Sequence, residues 1–485
     1  MRLRAAHCAL LFMLIGLTSQ VGVAGEKAPW PQFRGPDGSG IAEDEKPPVE
    51  IGPETNVKWK TAVPAGLSSP VLTEELVLLT GFEDEQLLTL AYRRDNGELA
   101  WKAAAKYESI EPYHSTEGSP AASTPATDGE LVVSYFGSCG LVCYDLTGKE
   151  LWTYELPPAA TVADFGTGVS PILVDGVVVL LHDDTKNPMI LAVDAKDGTK
   201  LWEKKRESIS GFGTPAVWRT EDSVQIVAPG SGRMIGYDLK TGEELWFVVG
   251  MPSACCTTPV VLNNRLYFAG WSPGGSGGDD GDFTMPTFDE ILAMNNADAN
   301  NDGIYSKEEA AGSPFENFFD NNDPNKDGMI VREEWDAMLA QMQAGVNSAF
   351  ALTPGGKGDI TESNVLWKQT RGLPYVPSAI LYRDQFILIK DGGIITAYDA
   401  ATGKQTSRSR AAAPGEYYSS PVAANGKLYF TSLKDGVVTV LEPNGNSYRE
   451  VKKNEPFNER ISATPAIDDN TLYLRTATTL YAFQE

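Results

Sequence analysis

The sequence predicts an eight-bladed β-propeller, an all-β ring closed by its N-terminal strand, with a small α-helical insertion in blade five. Three observations lead to this prediction: a recurring phrase, a turn-rich composition, and a final repeat that lacks one strand. The 485 residues include 47 Gly, 31 Pro, 18 Tyr, 18 Phe and 10 Trp. Such a composition is typical of a β protein with many turns and excludes collagen-like, coiled-coil and multispan membrane folds.

The recurring phrase consists of a strand, an Asp, a tight turn with Gly, and Leu-Trp. Complete copies end at Trp152, Trp202 and Trp246, a degenerate copy ends at Trp101, and NVLWK carries Trp367. The Asp can accept hydrogen bonds from backbone N–H groups of the turn, and the Gly supplies the positive φ that the turn requires. We expect the Trp to open an outer strand and to pack between neighbouring sheets.

Each unit therefore reads as a four-stranded antiparallel sheet, with strands A to D from the axis outwards. The A strands begin near Ser69, Ser123, Ser170, Thr214, Thr258, Ser378, Ser420 and Thr464. The last unit has three strands, and residues 56–59 repeat the Trp-strand pattern and supply the fourth, which closes the ring. Seven blades is the alternative, because blades six and seven carry Ser407 and Arg449 in place of the Trp.

These repeats resemble the pyrroloquinoline-quinone (PQQ) type of β-propeller repeat over about residues 30–271 and 349–485. That family includes quinoprotein alcohol dehydrogenases and the outer-membrane assembly lipoprotein of the BamB type. The opening Trp-Pro-Gln-Phe-Arg-Gly-Pro at residues 30–36 is similar to the lead-in of exported bacterial members. The resemblance implies the fold. It does not specify the activity, because one propeller fold hosts many functions.

The N-terminus has the features of an export signal. Arg2 and Arg4 precede an apolar stretch at residues 9–17, and the small residues 22–24 offer a cleavage site. We expect residues 1–24 to be a signal peptide and residues 25–56 to be a lead-in to the propeller. No Cys follows the cleavage site, so we expect no lipid anchor, no transmembrane segment in the mature chain, and a periplasmic or extracellular location.

The charge of the chain restricts its partners. Lys plus Arg total 40 against 65 Asp plus Glu, a formal charge of −25. A field of this sign repels phosphate backbones and anionic lipids. The sequence therefore predicts no nucleic-acid partner.

Residues 272–348 interrupt blade five and separate blades at 57–271 from those at 349–485. Within this insertion two twelve-residue runs, starting at Asp298 and Asp323, match the EF-hand calcium loop, with the invariant Gly at position 6. The pattern predicts up to two Ca²⁺ ions and a dissociation constant on the order of 10⁻⁵ to 10⁻³ M. The predicted ligands are Asp298, Asn300, Asp302, the Ile304 carbonyl, Ser306 and Glu309 in the first loop, and Asp323, Asn325, Asp327, the Met329 carbonyl and Glu334 in the second.

Helix signals flank these loops. Capping boxes at residues 287–290, 306–309 and 313–316 predict short helices, and apolar residues at helical spacing predict a small private core. The loops start 25 residues apart, a short separation for paired EF-hands. The usual side-by-side pairing is therefore in doubt from the sequence alone.

The connections from D to A and from B to C emerge at the same end of the ring, here called the top face. We expect a charged funnel near the axis on this face. Its candidate residues are His114, His182, Asp183, Arg233, Lys390, Asp391, Lys434, Arg475, Cys255 and Cys256. Turn chemistry explains Lys390-Asp391 and Lys434-Asp435 equally well, and a solvated turn explains His182-Asp183-Asp184. The adjacent Cys255 and Cys256 are compatible with free thiols or with the strained disulfide found in some quinoprotein dehydrogenases.

Two functions follow from the resemblance. The favoured one is an exported, non-catalytic scaffold whose top face binds a protein, peptide or glycan. The alternative is a PQQ- and calcium-dependent alcohol or sugar dehydrogenase, which is not favoured because most Trp residues are explained by blade packing and the chain has no CxxCH haem motif. The sequence assigns no catalytic or cofactor-binding residue and does not indicate an oligomeric state.

Overall fold

Eight sheets arranged around one axis form the protein, which confirms the eight-bladed propeller over the seven-bladed alternative. The computed structural model describes residues 28–208, 211–278, 286–294, 297–313, 315–316, 319, 322–445 and 447–485. The proposed signal peptide and its cleavage site lie outside these residues. Within the same ranges, no helix is long and apolar enough to cross a membrane.

Each blade has four antiparallel strands, ordered from the axis outwards. Blades one to four comprise Val71–Leu72, Leu76–Glu83, Gln86–Arg93 and Leu99–Ala105; Ala126–Thr127, Leu131–Phe136, Gly140–Asp145 and Glu150–Glu155; Ile172–Val174, Val177–His182, Met189–Asp194 and Lys200–Lys205; and Ala216–Arg219, Val224–Ala228, Arg233–Asp238 and Glu244–Val249. Blades five to eight comprise Val260–Leu262, Arg265–Gly270, Ser348–Leu352 and Val365–Gln369; Ile380–Tyr382, Gln385–Lys390, Ile394–Asp399 and Gln405–Arg410; Val422–Ala424, Lys427–Thr431, Val438–Asn444 and Ser447–Lys453; and Ala466–Asp468, Thr471–Arg475, Thr479–Phe483 and the N-terminal Val57–Ala62.

The ring is closed by the N-terminal strand, as predicted. Val57–Ala62 pairs antiparallel with Thr479–Phe483, and Trp59 is the partner of Ala482. Because the termini share one sheet, no blade lacks a strand. Two further short strands extend other sheets: Gly358–Asp359 pairs with the outer strand of blade four, and Ile41–Ala42 pairs with the inner strand of blade seven.

The Trp of the recurring phrase joins neighbouring blades. The indole ring packs against the turn glycine of the next blade, and its Nε1 donates to a backbone carbonyl there at 2.8 to 3.0 Å. These donors and acceptors are Trp59 to Arg94, Trp101 to Leu146, Trp152 to Ala195, Trp202 to Leu239, and Trp367 to Ala400. The predicted packing between sheets is confirmed for these five.

Trp246 differs from the pattern. Its Nε1 donates to Gln225 Oε1 of its own blade at 2.7 Å, and its ring lies 5.8 Å from that of Trp218. Blade five lacks the Asp-turn-Gly phrase at the expected position, and its residues 358–359 cover the outer edge of blade four instead. Without a turn glycine to pack against, the indole turns inward.

Four short α-helices occur in the described part of the chain: Phe288–Leu292, Lys307–Ala310, Arg332–Gln343 and Thr361–Asn364. The first three belong to the insertion between the second and third strands of blade five. They surround a separate apolar core that includes Phe288, Tyr305, Ile330 and Trp335. One-turn 3₁₀-helices occupy Pro36–Gly38 and Val162–Asp164.

Candidate functional site

A cavity of about 250 Å³ lies on the propeller axis. Each blade contributes one Ser or Thr, located just before its A strand, to the cavity lining. These residues are Ser69, Thr124, Ser170, Thr214, Thr258, Ser378, Ser420 and Thr464. We call them the hydroxyl ring.

The hydroxyl ring is a closed cycle of hydrogen bonds. In every blade the backbone N–H of the ring residue donates to the side-chain oxygen of the ring residue in the next blade, at 2.9 to 3.2 Å. The last bond, from Thr464 to Ser69, closes the cycle. Each hydroxyl therefore accepts a hydrogen bond and retains its own proton to donate.

The lead-in crosses the bottom of this channel. Its Pro31 carbonyl accepts from Thr127 of blade two, and Arg34 donates to the Ala379 carbonyl of blade six. Blades two and six lie on opposite sides of an eight-membered ring, so the segment passes over the axis. Phe33, between these two anchors, lines the cavity. The cavity is therefore closed below and opens on the top face.

A glycine allows the lead-in to turn at this point. Gly35 has a φ of 67°, and a Cβ on it would lie 2.5 Å from the indole of buried Trp30. An L-residue would meet both the backbone strain and the clash. The Arg-Gly-Pro sequence of the lead-in is thus explained by local geometry.

A mostly apolar layer lies above the hydroxyl ring. Alternate residues of an extended chain face the same side, so the residue two positions before each ring member also faces the axis. This layer consists of Leu67, Ala122, Gly168, Phe212, Cys256, Val376, Tyr418 and Ser462. Phe165 and Tyr375 complete an aromatic mouth with Phe212 and Tyr418.

The aromatic mouth has supports on the top face. His114 stacks on Phe165 with ring centroids 5.6 Å apart, and Phe165 meets Phe212 edge-on at 6.3 Å. Tyr375 meets Trp271 edge-on at 5.5 Å, at the base of the blade-five insertion. The mouth is therefore an ordered apolar surface made from four blades.

Among the described residues, Glu117 is the one carboxylate that lines the cavity. It accepts a hydrogen bond from Arg460 at 2.7 Å, and Arg460 lies over the ring of Tyr418. Burial raises the pKa of Glu117, but hydrogen bonds from Arg460 and Tyr418 outweigh burial and lower the pKa overall. The carboxylate thus remains ionised and paired at the edge of the mouth.

Several predicted top-face residues lie inside the sheets, so a charged funnel at the axis is wrong for them. His182, Asp183 and Asp184 are buried, and the solvated-turn interpretation is also wrong. His182 Nδ1 lies 2.9 Å from the Tyr135 hydroxyl. Burial lowers the pKa of His182, against the attraction of the two carboxylates.

The structure places the remaining predicted residues in several different settings. Cys256 lines the cavity and His114 supports its wall, whereas Cys255 is buried; both cysteines have free thiols. Lys390 and Asp391 line a neighbouring pocket beside Trp271. Arg475 is buried with acceptors around it, Arg233 pairs with Glu244, and Lys434 pairs with Glu416.

The aromatic mouth was not predicted from the sequence, nor was the floor of the cavity, which is formed by the hydroxyl ring and the lead-in below it. Phe165, Phe212, Tyr375 and Tyr418 belong to no repeated motif, and their blade positions differ in chemistry. Strand alternation nevertheless predicts that the residue two positions before each A-strand Ser or Thr faces the axis. The crossing of the lead-in depends on distant contacts and left no local signal.

The two calcium-type loops of the insertion have matching internal hydrogen bonds. In the first, Asp298 accepts from the N–H groups of Asp302 and Gly303, at 2.9 and 3.2 Å. In the second, Asp323 accepts from Asp327 and Gly328, at 3.2 and 2.8 Å. Thus position 1 organises the turn at positions 5 and 6 in both loops.

The loops also lie side by side. Tyr305 pairs with Ile330 and Ser306 with Met329 in a short antiparallel ladder. The close spacing in sequence therefore does not prevent pairing. The predicted capping boxes at Thr287 and Ser306 are present, while the one at 313–316 includes residue 314, outside the described residues.

The last acidic residue of each loop turns back towards its loop. Glu309 accepts from Ala299 N–H at 2.9 Å and from Ser306 N–H at 3.0 Å, and Glu334 accepts from Val331 N–H at 3.1 Å. In the part of the chain that the structure describes, no three His, Cys, Asp or Glu side chains lie close enough to hold an ion by themselves. A Ca²⁺ ion at either loop would also need amide and carbonyl oxygens.

The cavity lining does not suit PQQ, the cofactor that the quinoprotein resemblance implies. PQQ carries three carboxylates and requires cationic or metal partners. The lining residues that the structure describes include Glu117 and no Lys or Arg. No cationic side chain among these lining residues is therefore in place to neutralise the three carboxylates.

Glu111 joins two of the loops that form the cavity wall. Its buried carboxylate accepts from the N–H and hydroxyl of Thr167, at 3.2 and 2.9 Å, while Oε2 has no partner within the described part of the chain. Burial raises the pKa of Glu111 to about 7, against the hydrogen bonds from Thr167, which lower it.

The free energy of unfolding should fall as the pH rises from 4.5 to about 7, because the folded protein holds the Glu111 proton more tightly than the unfolded chain. The expected loss is about 3 kcal/mol from this group, with no further change above its folded pKa. Glu111→Gln should remove this dependence, measured by denaturant unfolding across this pH range. Exposed Glu108→Gln is the control; an unchanged slope in Glu111→Gln would contradict the assignment.

The chain resembles known proteins in sequence and in fold. A family model described as "Outer membrane protein assembly factor BamB" matches residues 89–272 and 357–485. No curated protein sequence matches significantly. These matched segments comprise most of the chain and leave out the insertion.

Solved structures with similar folds have low sequence identity. BamB from Moraxella catarrhalis has a TM-score of 0.53 and 14% identity, covering 88% of this chain and 98% of that one. The designed protein Ika8 has a TM-score of 0.52 and 11% identity, covering 89% and 100%. A europium-containing methanol dehydrogenase has a TM-score of 0.51 and 8% identity, covering 95% and 99%. At these identities the likeness is one of fold.

Proposed function

The chain belongs to the PQQ-type β-propeller family described as outer membrane protein assembly factor BamB, and from this premise we propose that it is an exported binding or scaffold protein. Its top face recognises a protein, a peptide or a glycan, and the aromatic mouth is the centre of that surface. The N-terminal pattern at residues 1–24 supports export to the periplasm or the cell exterior.

The aromatic mouth is the observation that carries this proposal. Phe165, Phe212, Tyr375 and Tyr418 are each partly exposed around a cavity that is closed below. Aromatic side chains provide large contact areas with little loss of rotamer entropy and are enriched at binding hot spots. Glycans and apolar peptide side chains both present faces that stack on such rings.

Peptide and glycan arrays probed with labelled mature protein test this function. We expect binding to selected ligands to be lost in Phe165→Ala/Phe212→Ala, with a cost of about 2 kcal/mol or more. The matched control is Leu151→Ala/Leu201→Ala, which removes two exposed side chains from the outer strands of blades two and three. Equal binding by the Phe variant would contradict the proposal. Stoichiometric PQQ binding with alcohol or sugar turnover would favour a quinoprotein dehydrogenase instead.

We further propose that the insertion is a pair of EF-hands that binds up to two Ca²⁺ ions. The matched hydrogen bonds of the loops and their antiparallel pairing support this assignment. Asp298, Asn300, Asp302, the Ile304 carbonyl and Glu309 would hold the first ion, with Ser306 at position 9. Asp323, Asn325, Asp327, the Met329 carbonyl and Glu334 would hold the second.

Calorimetric titration of the mature protein with calcium should reveal up to two sites. Glu309→Gln and Glu334→Gln should each abolish one, because a neutral amide cannot supply the bidentate carboxylate at position 12. Glu308→Gln and Glu333→Gln change adjacent exposed carboxylates and should leave both sites intact. Unaltered binding in the position-12 variants would show that these loops are not the calcium sites.

A further inference from the structure

Arg34 of the lead-in is a buried cation without a counter-ion. Its side chain is fully buried, and Nη2 donates to the carbonyls of Ala379 at 2.7 Å and Ser39 at 3.2 Å. Nε and Nη1 have no hydrogen-bond partner among the residues that the structure describes. Within the described residues, no carboxylate lies at ion-pair distance from this guanidinium.

Other buried arginines are neutralised or surrounded by acceptors. Arg206 forms an ion pair with Asp183 at 2.7 Å, and Arg475 donates to the carbonyls of Thr80 and Pro64 and to Ser68. Burial lowers the pKa of Arg34 to about 9, so the group remains charged at neutral pH. A charge in this setting is costly unless an opposite charge accompanies it.

Arg34 and the hydroxyl ring contact neighbouring residues of blade six. The carbonyl that accepts from Arg34 belongs to Ala379, the residue after ring member Ser378, and Phe33 lines the same cavity. All ring hydroxyls accept a backbone hydrogen bond, and among the described residues none is found to donate one. The floor thus presents a circle of free O–H donors.

The free hydroxyl donors and the unpaired guanidinium both favour an anionic ligand. Free O–H donors require an acceptor, and an uncompensated guanidinium favours a negative one. A cation on the axis would be repelled by the charge of Arg34. The charge of the remaining lining, Glu117 at the mouth, is already paired with Arg460.

We propose that the floor of the axial cavity binds a small anion of chloride to phosphate size, held by the hydroxyl ring and favoured by the charge of Arg34. Such an anion would stabilise the lead-in across the bottom of the channel. The site is distinct from the aromatic mouth, so it does not depend on the proposed partner binding.

Thermal unfolding in matched anions tests the site. Mature protein with a constant calcium concentration is compared in sodium chloride, sodium bromide and sodium phosphate against sodium HEPES of equal ionic strength. We expect a higher Tm in at least one small anion, and an anomalous bromide peak on the axis in bromide-soaked crystals. Chloride and phosphate arms distinguish a halide from an oxyanion.

Two variants make the expectation specific. Arg34→Gln and Ser378→Ala/Ser420→Ala should each weaken anion binding about tenfold or more. Ser123→Ala is the control, because Ser123 is buried beside the ring but donates to the Val169 carbonyl instead. If Arg34→Gln does not fold, the Ser378→Ala/Ser420→Ala variant and the bromide peak test the proposal. Equal Tm of the wild type in all anions, or an undiminished response in the serine pair, would overturn the proposal.

Discussion

Arg206→Met should destabilise the protein by about 3 to 5 kcal/mol, because it leaves a buried carboxylate without its cation. Arg206 Nε and Nη2 bind the two oxygens of Asp183 at 2.7 and 3.2 Å, and the two side chains are 1% and 0% exposed. Nη2 also donates to the Pro229 carbonyl of blade four at 2.9 Å. The pair therefore joins blades three and four beneath the top face.

Chemical unfolding at neutral pH measures the effect, and two comparisons isolate its cause. Arg206→Met/Asp183→Asn removes both charges and should recover much of the loss, since an apolar or neutral replacement of a buried pair is often tolerated. Arg219→Met breaks an exposed pair with Asp175 and should cost less than about 1 kcal/mol. A double variant no more stable than the single one would contradict an unpaired charge as the cause.

The sequence was sufficient to predict the eight-bladed ring but not the buried ion pair between Arg206 and Asp183. Asp-turn-Gly-Trp is a local pattern, so its spacing predicts blade number and the packing of Trp59, Trp101 and Trp152 on neighbouring turns. Trp246 departs from the pattern because blade five lacks the turn on which it would pack. The sequence around Trp246 itself does not show this. His182-Asp183 looked like a solvated turn because the residue that neutralises Asp183 lies 23 positions away.

The axial site shows the same limit. Strand alternation predicts that certain positions face the axis, yet their chemistry varies from blade to blade, as with Ala122 and Phe212. The floor depends on a lead-in that spans blades two and six, and no local pattern encodes that crossing. By contrast, each calcium-type loop has its whole pattern within twelve residues, so the sequence alone predicts ligands there, which the calcium titration tests.

Trp59→Ala should cost about 3 to 5 kcal/mol of the free energy of unfolding, the range for truncating a buried aromatic side chain. Trp59 is 7% exposed, its Nε1 donates to the Arg94 carbonyl at 2.9 Å, and its indole lies against Gly97. Lys58→Ala, on the exposed side of the same strand, should change stability little.

The position of Trp59 at the closure gives this substitution a second effect that the other tryptophans lack. Trp152→Ala removes a similar indole between blades two and three, but both of those blades remain continuous in sequence. Trp59 instead fastens a strand whose chain continuity with blade eight runs the whole way round the ring. Limited proteolysis should therefore release the N-terminal strand and lead-in from Trp59→Ala earlier than from Trp152→Ala. Equal release from variants of equal stability would show that closure does not depend on this indole.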